Sequence, residues 1–226
     1  GKVFFEREDE LQPLEKICLA GIMVGVHTEE SWYNEERPVD FYDVKGTLAV
    51  LLKELGLESF RFKQEKNLPG YDVGISSGIY CDDTRIGQVG FASPEVIEVY
   101  ELKKSHVCLF ELDVGALLPA LPEKKTFVPF GKFPAVHRDL SLVLDRRIEC
   151  GAIMDIIKEE GRDLLESVHV FDLYEGERID QSKKAISFKI SFRSDRGTLD
   201  GEEVNGLYEK IVGKIGQKTG GKLREG

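Results

Sequence analysis

The sequence has no long uncharged hydrophobic run, few cysteines and few histidines. No segment approaches the roughly 18 apolar residues of a membrane helix, so we expect no membrane span. The four cysteines stand far apart without a C-x-x-C pair. Two disulfides are possible, but reduced thiols in a cytoplasmic protein are favoured. The four histidines show no ligand spacing, which argues against zinc. The start, G-K-V-F-F-E, is unlike a signal peptide and enters a strand abruptly, so we expect a piece of a longer chain.

Positive charge is outnumbered by negative charge. The chain has 31 Lys and Arg against 41 Asp and Glu, a net charge of −10, which argues against a protein that coats nucleic acid over its whole surface. The acidic surplus is uneven, because residues 128–226 hold 17 basic and 18 acidic side chains and residues 1–127 carry a net −9. The second half therefore has room for a local basic face.

The length and the prolines predict two domains. A chain of 226 residues is comfortable for two cores, and four of its eight prolines fall between Pro119 and Pro134. Proline removes backbone donors and favours an extended path. We therefore predict domains at residues 1–121 and 133–226, joined by a linker at 122–132.

The stretch Lys184–Arg193, K-A-I-S-F-K-I-S-F-R, alternates without a slip. Its apolar side chains share one face of a strand, and the other face carries Ser187, Lys189, Ser191 and Arg193. This pattern is typical of an antiparallel sheet with one face on a core and the other open to water. A polar, partly basic sheet face of this kind is a plausible surface for RNA.

The elements around this strand predict a ferredoxin-like β-α-β-β-α-β domain with both helices on one face. In order, we expect a strand near 139–144, a helix over 151–164, a strand over 166–174, the alternating strand, a helix after Asp200, and a short strand near 222–224. Asp200 with Glu203 predicts a capping box for the last helix. In the strand 166–174, alternation sets one group of residues against another: His169, Phe171 and Leu173 against Val170, Asp172 and Tyr174.

The first half predicts an antiparallel sheet flanked by helices, which makes the whole chain α+β. The expected elements are a strand over 17–26, a helix over 40–55, a strand at 60–62, a hairpin of 78–81 with 84–91, a short helix from Pro94, and a strand over 107–112. The acid pairs Glu29-Glu30, Glu35-Glu36 and Asp82-Asp83 fall in loops and are read as solvated. No Ser-His-Asp or Cys-His arrangement is identifiable, so we predict no catalytic residue and no metal site.

Several motifs in register resemble one family. The segments of the second half are F-P-A-V-H-R-D-L-S-L-V (133–143), L-L-E-S-V-H-V-F-D-L-Y-E-G (164–176), K-K-A-I-S-F-K-I-S-F (183–192) and T-L-D-G-E-E-V-N (198–205). They resemble the C-terminal anticodon-binding domain of the bacterial phenylalanyl-tRNA synthetase beta chain. The segments of the first half are G-K-V-F (1–4), V-D-F-Y-D-V-K-G (39–46), G-Q-V-G-F-A-S-P-E-V (87–96) and F-E-L-D-V-G-A-L (110–117). They resemble the end of that chain's class II synthetase-like, non-catalytic module.

The resemblance implies a role in a cytoplasmic α2β2 ligase that attaches phenylalanine to tRNA(Phe). In that family the alpha subunit activates phenylalanine with ATP and Mg²⁺. This fragment is then expected to bind no cofactor, to catalyse nothing by itself, and to contact neither DNA nor a membrane. Gly87-x-x-Gly90 resembles a glycine-rich synthetase motif only weakly, because the arginine of that motif is absent. We interpret it as a hairpin packed closely on a helix. The alternatives are an amino-acid-binding regulatory module and a stand-alone RNA-binding protein.

The resemblance also implies the RNA contacts. It points to Asp172 and Tyr174 of the F-D-x-Y motif, to Ser141, and to Arg224. Ala185 stands where the family commonly has serine, so that contact is backbone-mediated or missing. Lys189 and Arg193 fit phosphate steering, although both also fit a merely solvated strand face. Tyr174 fits a base-stacking platform, or an aromatic that covers the sheet edge.

Overall fold

The computed structural model describes residues 1–7, 11–103, 106–124, 127, 129–176 and 179–224. Part of the predicted linker (residues 125, 126 and 128) and part of the loop before the alternating strand (177 and 178) lie outside these residues. The chain forms two compact units, residues 1–126 and residues 127–226.

The first unit is built on a six-stranded antiparallel sheet. Its strands and helices are β1 (Lys2–Phe5), β2 (Leu14–Val24), β3 (Val26–Thr28), β4 (Arg37–Pro38), α1 (Phe41–Glu54), β5 (Arg61–Gln64), β6 (Tyr71–Cys81), β7 (Thr84–Ala92), α2 (Pro94–Val99), β8 (Val107–Asp113) and α3 (Val114–Leu117). The sheet order is β1-β2-β8-β7-β6-β5, and β3 pairs with β4 in a separate ribbon. The strand predicted over 17–26 is interrupted at Gly25, whose φ of 105° is a left-handed conformation that favours glycine.

Helix α1 begins at a complete capping box. The Asp40 carboxylate accepts hydrogen bonds from the backbone of Tyr42 (2.7 Å) and Asp43 (3.1 Å), and the Asp43 carboxylate accepts one from the Asp40 backbone N–H (2.8 Å). Its apolar stripe (Val44, Leu48 and Leu52) is fully buried against the sheet. Gly56, with φ 92°, follows the end of the helix in the left-handed conformation that glycine favours there.

The second unit has the predicted β-α-β-β-α-β order. Its elements are β9 (Val136–Asp145), α4 (Cys150–Gly161), β10 (Leu165–Tyr174), β11 (Lys183–Phe192), α5 (Gly201–Thr219) and β12 (Lys222–Leu223). The strands are antiparallel in the order β10-β11-β9-β12, so the first and third strands lie at the centre. This is the ferredoxin-like arrangement, and the α+β prediction is confirmed.

The core of this unit lies between the sheet and its two helices. The leucines at 140, 142 and 144 of β9 and the apolar residues of β11 are buried against Ile153 and Ile157 of α4 and Ile211 and Ile215 of α5. Both helices therefore cover the same face of the sheet. We call the opposite face the open face.

Two details of the helices differ from the prediction. Helix α4 ends at Gly161, and a 3₁₀ turn at Arg162–Leu164 completes the segment that the sequence predicts as one helix. Helix α5 begins after Asp200, but the Asp200 side chain makes no capping hydrogen bond, so the predicted capping box is wrong. Glu202 and Glu203 lie in the first turn, where their negative charge interacts favourably with the helix dipole and stabilises the helix.

Candidate nucleic-acid interface

The strand register sets polar side chains of the open face in neighbouring rows. Asp172 of β10 lies opposite Ser187 of β11, which lies opposite Ser141 of β9. Arg224 continues this row at the far edge, because its backbone N–H donates to the Ser141 carbonyl at 2.9 Å. Directly paired residues of an antiparallel sheet point to the same side. One row across the sheet therefore carries a carboxylate, two hydroxyls and a guanidinium group, all on the open face.

The next row contains Tyr174, opposite Ala185, which in turn lies opposite Val143. A third row, on the other side of Asp172, contains His169, Lys189 and Asp139. The register thus brings six of the seven predicted contacts together on one face: Ser141, Asp172, Tyr174, Ala185, Lys189 and Arg224.

A β-bulge changes the faces predicted for β10. The register passes from Val170, opposite Phe188, directly to Asp172, opposite Ser187, so Phe171 is the extra residue. His169 therefore shares the open face with Asp172, and Val170 turns to the helix side. The predicted grouping of His169 with Leu173 is wrong, because one unpaired residue reverses the alternation on one side of it.

The open face is less open than the alternation predicts. Ala185 is 1% exposed, Ser187 4% and Ser191 6%, although all three point away from the helices. Ser187 and Ser141 share a hydrogen bond between hydroxyl oxygens 2.8 Å apart, and Ser191 Oγ lies 2.9 Å from His137 Nδ1. Lys189 is exposed. Ser187 and Ser191, which the alternation predicts to face water, are thus buried and hydrogen-bonded on the open face.

The aromatic ring of Tyr174 is in contact with Arg224. The guanidinium carbon lies 5.1 Å from the ring centroid, which is a cation–π distance. The ring also lies against Gly176, where an added Cβ would come within 2.5 Å of the Tyr174 hydroxyl oxygen. The ring thus has two defined neighbours, Arg224 and Gly176.

Arg193 is the predicted contact that the structure does not bring to this group. It follows the end of β11, and its guanidinium pairs with Glu166 at 2.8 Å and donates to the Phe133 carbonyl. Arg138, which shares a sheet register position with the buried Ile190, donates to the Asn205 side chain of α5 at 2.9 Å. Both arginines hold parts of the second unit together.

The open face offers two kinds of chemistry to an unpaired base. The Tyr174 ring is a stacking surface, and the Asp172 carboxylate accepts hydrogen bonds from amino and imino groups on a base edge. Ser187 and His169 belong to the same rows, and sequence reasoning did not select either as a site. The alternation alone was a sufficient signal for Ser187, whereas His169 required knowledge of the bulge.

The glycines of the first unit have a packing role. A Cβ at Gly87 would lie 2.5 Å from the Glu111 carbonyl oxygen, and one at Gly90 would lie 2.7 Å from the Ile75 carbonyl oxygen. The close approach is therefore to neighbouring strands. The sequence-based prediction of close packing on a helix is wrong for these two glycines. Tyr71 lies beside Gly90, and burial raises its pKa to about 12.

No group of acidic, histidine or cysteine side chains among the described residues is arranged to hold a metal ion. None of the four cysteines forms a disulfide, and burial raises the pKa of Cys108 to about 11. Within the described ranges, no helix is long and apolar enough to cross a membrane.

Two family models match the chain. Residues 1–114 match the phenylalanyl tRNA synthetase beta chain CLM domain, and residues 131–224 match the ferredoxin-fold anticodon binding domain. The second match contains the whole four-stranded sheet and every residue of the rows described above.

Curated relatives agree with these matches. The chain is 35% identical over 220 residues to a phenylalanine–tRNA ligase beta subunit of Carboxydothermus hydrogenoformans, with 97% of this chain and 27% of the relative aligned. It is 34% identical over 226 residues to that of Halalkalibacterium halodurans, with 99% and 28% aligned. It is 34% identical over 213 residues to that of Bacillus subtilis, with 94% and 26% aligned. The chain thus spans about a quarter of the length of these relatives.

Proposed function

The chain belongs to the phenylalanyl-tRNA synthetase beta-chain family, and from that premise we propose that its second unit binds the anticodon of tRNA(Phe) on the open face. The observation that carries the proposal is the register, which sets Ser141 and Asp172 in one row and Tyr174 in the next. These three side chains lie on the same side of the sheet, opposite both helices of the unit.

We propose distinct roles for the residues of the open face. Tyr174 stacks on an unpaired base, and stacking of this kind contributes about 1–3 kcal/mol per base. Asp172 and Ser141 bond to base edges, and Ala185 leaves room for a base to approach the backbone. Lys189 faces the phosphates, and Arg224 does so once its guanidinium leaves the Tyr174 ring.

Arg193 fits anchoring better than RNA binding. It is 27% exposed as a side chain, and its donors are directed at Glu166 and the Phe133 carbonyl. A guanidinium held in this way is not available to a phosphate without the loss of both contacts. We therefore assign Arg193 to the stability of the segment that leads into β9.

We propose that the chain acts as part of a cytoplasmic phenylalanine–tRNA ligase. The first unit, at about residues 1–121, serves as a scaffold toward the alpha subunit of an α2β2 assembly. Residues 122–132 are the linker, and residues 133–226 meet the RNA. Activation of phenylalanine with ATP and Mg²⁺ belongs to the alpha subunit. The chain by itself should therefore show no phenylalanine-dependent pyrophosphate exchange, and any measurable exchange would contradict this division of labour.

The proposal is tested with the anticodon stem-loop of tRNA(Phe) and a stem-loop whose anticodon bases are changed. Tyr174→Ala should weaken binding of the cognate loop about 5- to 150-fold, as expected for the loss of one stacked base, and should bring the two loops closer in affinity. Tyr174→Phe is the matched control, because it keeps the ring and should keep most of the affinity. Equal affinities of wild type and Tyr174→Ala for the cognate loop would refute the proposed site.

A further inference from the structure

Two residues of the open face are buried without a helix above them. Ala185 is 1% exposed and Ser187 is 4% exposed, and both belong to β11, an inner strand of the sheet. We call these two residues the floor. Because α4 and α5 pack on the other side, the groups that cover the floor lie on the open side of the sheet.

Tyr174 and Arg224 approach the floor from opposite sides. Tyr174 belongs to β10 at one edge of the sheet and is the direct neighbour of Ala185. Arg224 directly follows β12 at the other edge, and its backbone is bonded to Ser141, the neighbour of Ser187.

The contact between these two side chains has to cross the sheet. The two edges are separated by three strand spacings, about 14 Å. Nevertheless, the Arg224 guanidinium carbon lies 5.1 Å from the centre of the Tyr174 ring. The contact therefore passes over the two inner strands, β11, which carries the floor, and β9.

We propose that Arg224 is a positioning residue, whose guanidinium holds the Tyr174 ring over the floor in the RNA-free protein. We call these two side chains in contact the strap. The guanidinium then occupies ring surface that a base needs, and the strap has to open before the floor can be reached. The consequence for RNA rests on the proposed function of Tyr174, whereas the strap itself does not.

The strap should lower the apparent affinity of every base by the same factor. A site that is accessible only in a fraction of molecules binds with its intrinsic affinity reduced by that fraction, whatever the ligand. Exposed cation–π contacts correspond to about a two- to fivefold preference for the closed form. Arg224 thus sets how easily the platform opens and leaves the choice between bases to Asp172 and Ser141.

The test measures access to the floor without RNA. Ser187→Cys places a thiol of nearly the same size in the floor. Its rate of modification by iodoacetamide, a small neutral reagent, is followed by peptide mass spectrometry in the whole chain. Combination with Arg224→Gln should raise this rate about two- to fivefold. Arg224→Lys keeps the cation and should give a smaller increase, and Cys150, outside the open face, should react at the same rate in all variants.

The direction of the change makes the test stringent. Removal of a nearby cation raises a thiol pKa and slows alkylation, so faster reaction after Arg224→Gln reports exposure and not charge. Equal or slower modification after both Arg224→Gln and Arg224→Lys, the second of which keeps the cation, would overturn the strap. If modification speeds up but Tyr174→Ala leaves RNA binding unchanged, the strap stands and the proposed function fails. If modification is unchanged but Tyr174→Ala weakens RNA binding, the strap fails and the proposed function stands.

Discussion

Replacement of Arg193 by glutamine should destabilise the second unit without changing how it binds RNA. The guanidinium pairs with Glu166 at 2.8 Å, and the two side chains are 27% and 38% exposed. A pair with this exposure contributes about 0.2–1 kcal/mol, because solvent screens it. The charge-assisted hydrogen bond to the Phe133 carbonyl adds about 1.5–3 kcal/mol. We therefore expect Arg193→Gln to lower the free energy of unfolding by about 2–4 kcal/mol.

Thermal unfolding followed by circular dichroism measures this loss. For a unit of about 100 residues, each kcal/mol corresponds to a decrease of about 4 °C or more in Tm. Glu166→Gln removes the ion pair but not the bond to Phe133, so its decrease should be smaller. The double variant gives the coupling energy between the two side chains, expected at about 0.2–1 kcal/mol.

Lys189→Gln is the matched comparison, since the sequence gives Lys189 and Arg193 the same role. Lys189 is exposed on the open face, so its replacement should leave Tm unchanged, weaken all RNAs alike and reduce the salt dependence of binding by about one unit of slope. Arg193→Gln should leave that slope unchanged. The reasoning is refuted if Arg193→Gln flattens the salt dependence while Tm stays at the wild-type value.

Three further predictions concern stability. Two hydrogen bonds from Arg37 and one from the Asp40 backbone lower the pKa of Asp43 to about 2. The stability that the Arg37–Asp43 pair contributes is therefore present above about pH 4 and lost between about pH 4 and 2. Asp43→Asn should flatten this part of an acid-unfolding curve. Gly87→Ala forces a Cβ to within 2.5 Å of the Glu111 carbonyl oxygen and should cost about 1–3 kcal/mol in chemical denaturation, unlike Gly46→Ala, which meets open space. Phe188→Ala, at a fully buried site, should cost about 3–5 kcal/mol by the same assay, and Phe188→Leu clearly less.

Alternation in the sequence was enough to predict the second unit. The leucines at 140, 142 and 144 and the alternating strand define which side faces the core, and helical spacing adds the two helices, so the order of elements follows. The sheet order then agrees with a known arrangement of such elements.

The bulge at Phe171 could not be predicted in the same way. In the segment V-H-V-F-D-L-Y, apolar residues occur on both faces of the strand. An extra residue therefore does not visibly interrupt the sequence pattern. Its effect is to bring His169 onto the face of Asp172, which only the pairing with β11 reveals.

The environment of the open face depends on residues far apart in the sequence. Arg224 contacts the Tyr174 ring from the other edge of the sheet. Arg193, just after the end of its strand, pairs with Glu166 and donates a hydrogen bond to the Phe133 carbonyl. Each of these partners is at least 27 positions away along the chain. Residue type and periodicity therefore identify the polar face, whereas the roles of its cations follow from tertiary contacts.

The most direct test of the central claim is a map of amide shifts on addition of the tRNA(Phe) anticodon stem-loop to the whole chain. Shifts should concentrate at Ser141, Asp172, Tyr174, Ala185 and Lys189 on the open face. The helix side, represented by exposed positions of α4 and α5, should change little. Shifts confined to α4 and α5, with the rows of the open face unaffected, would contradict the account.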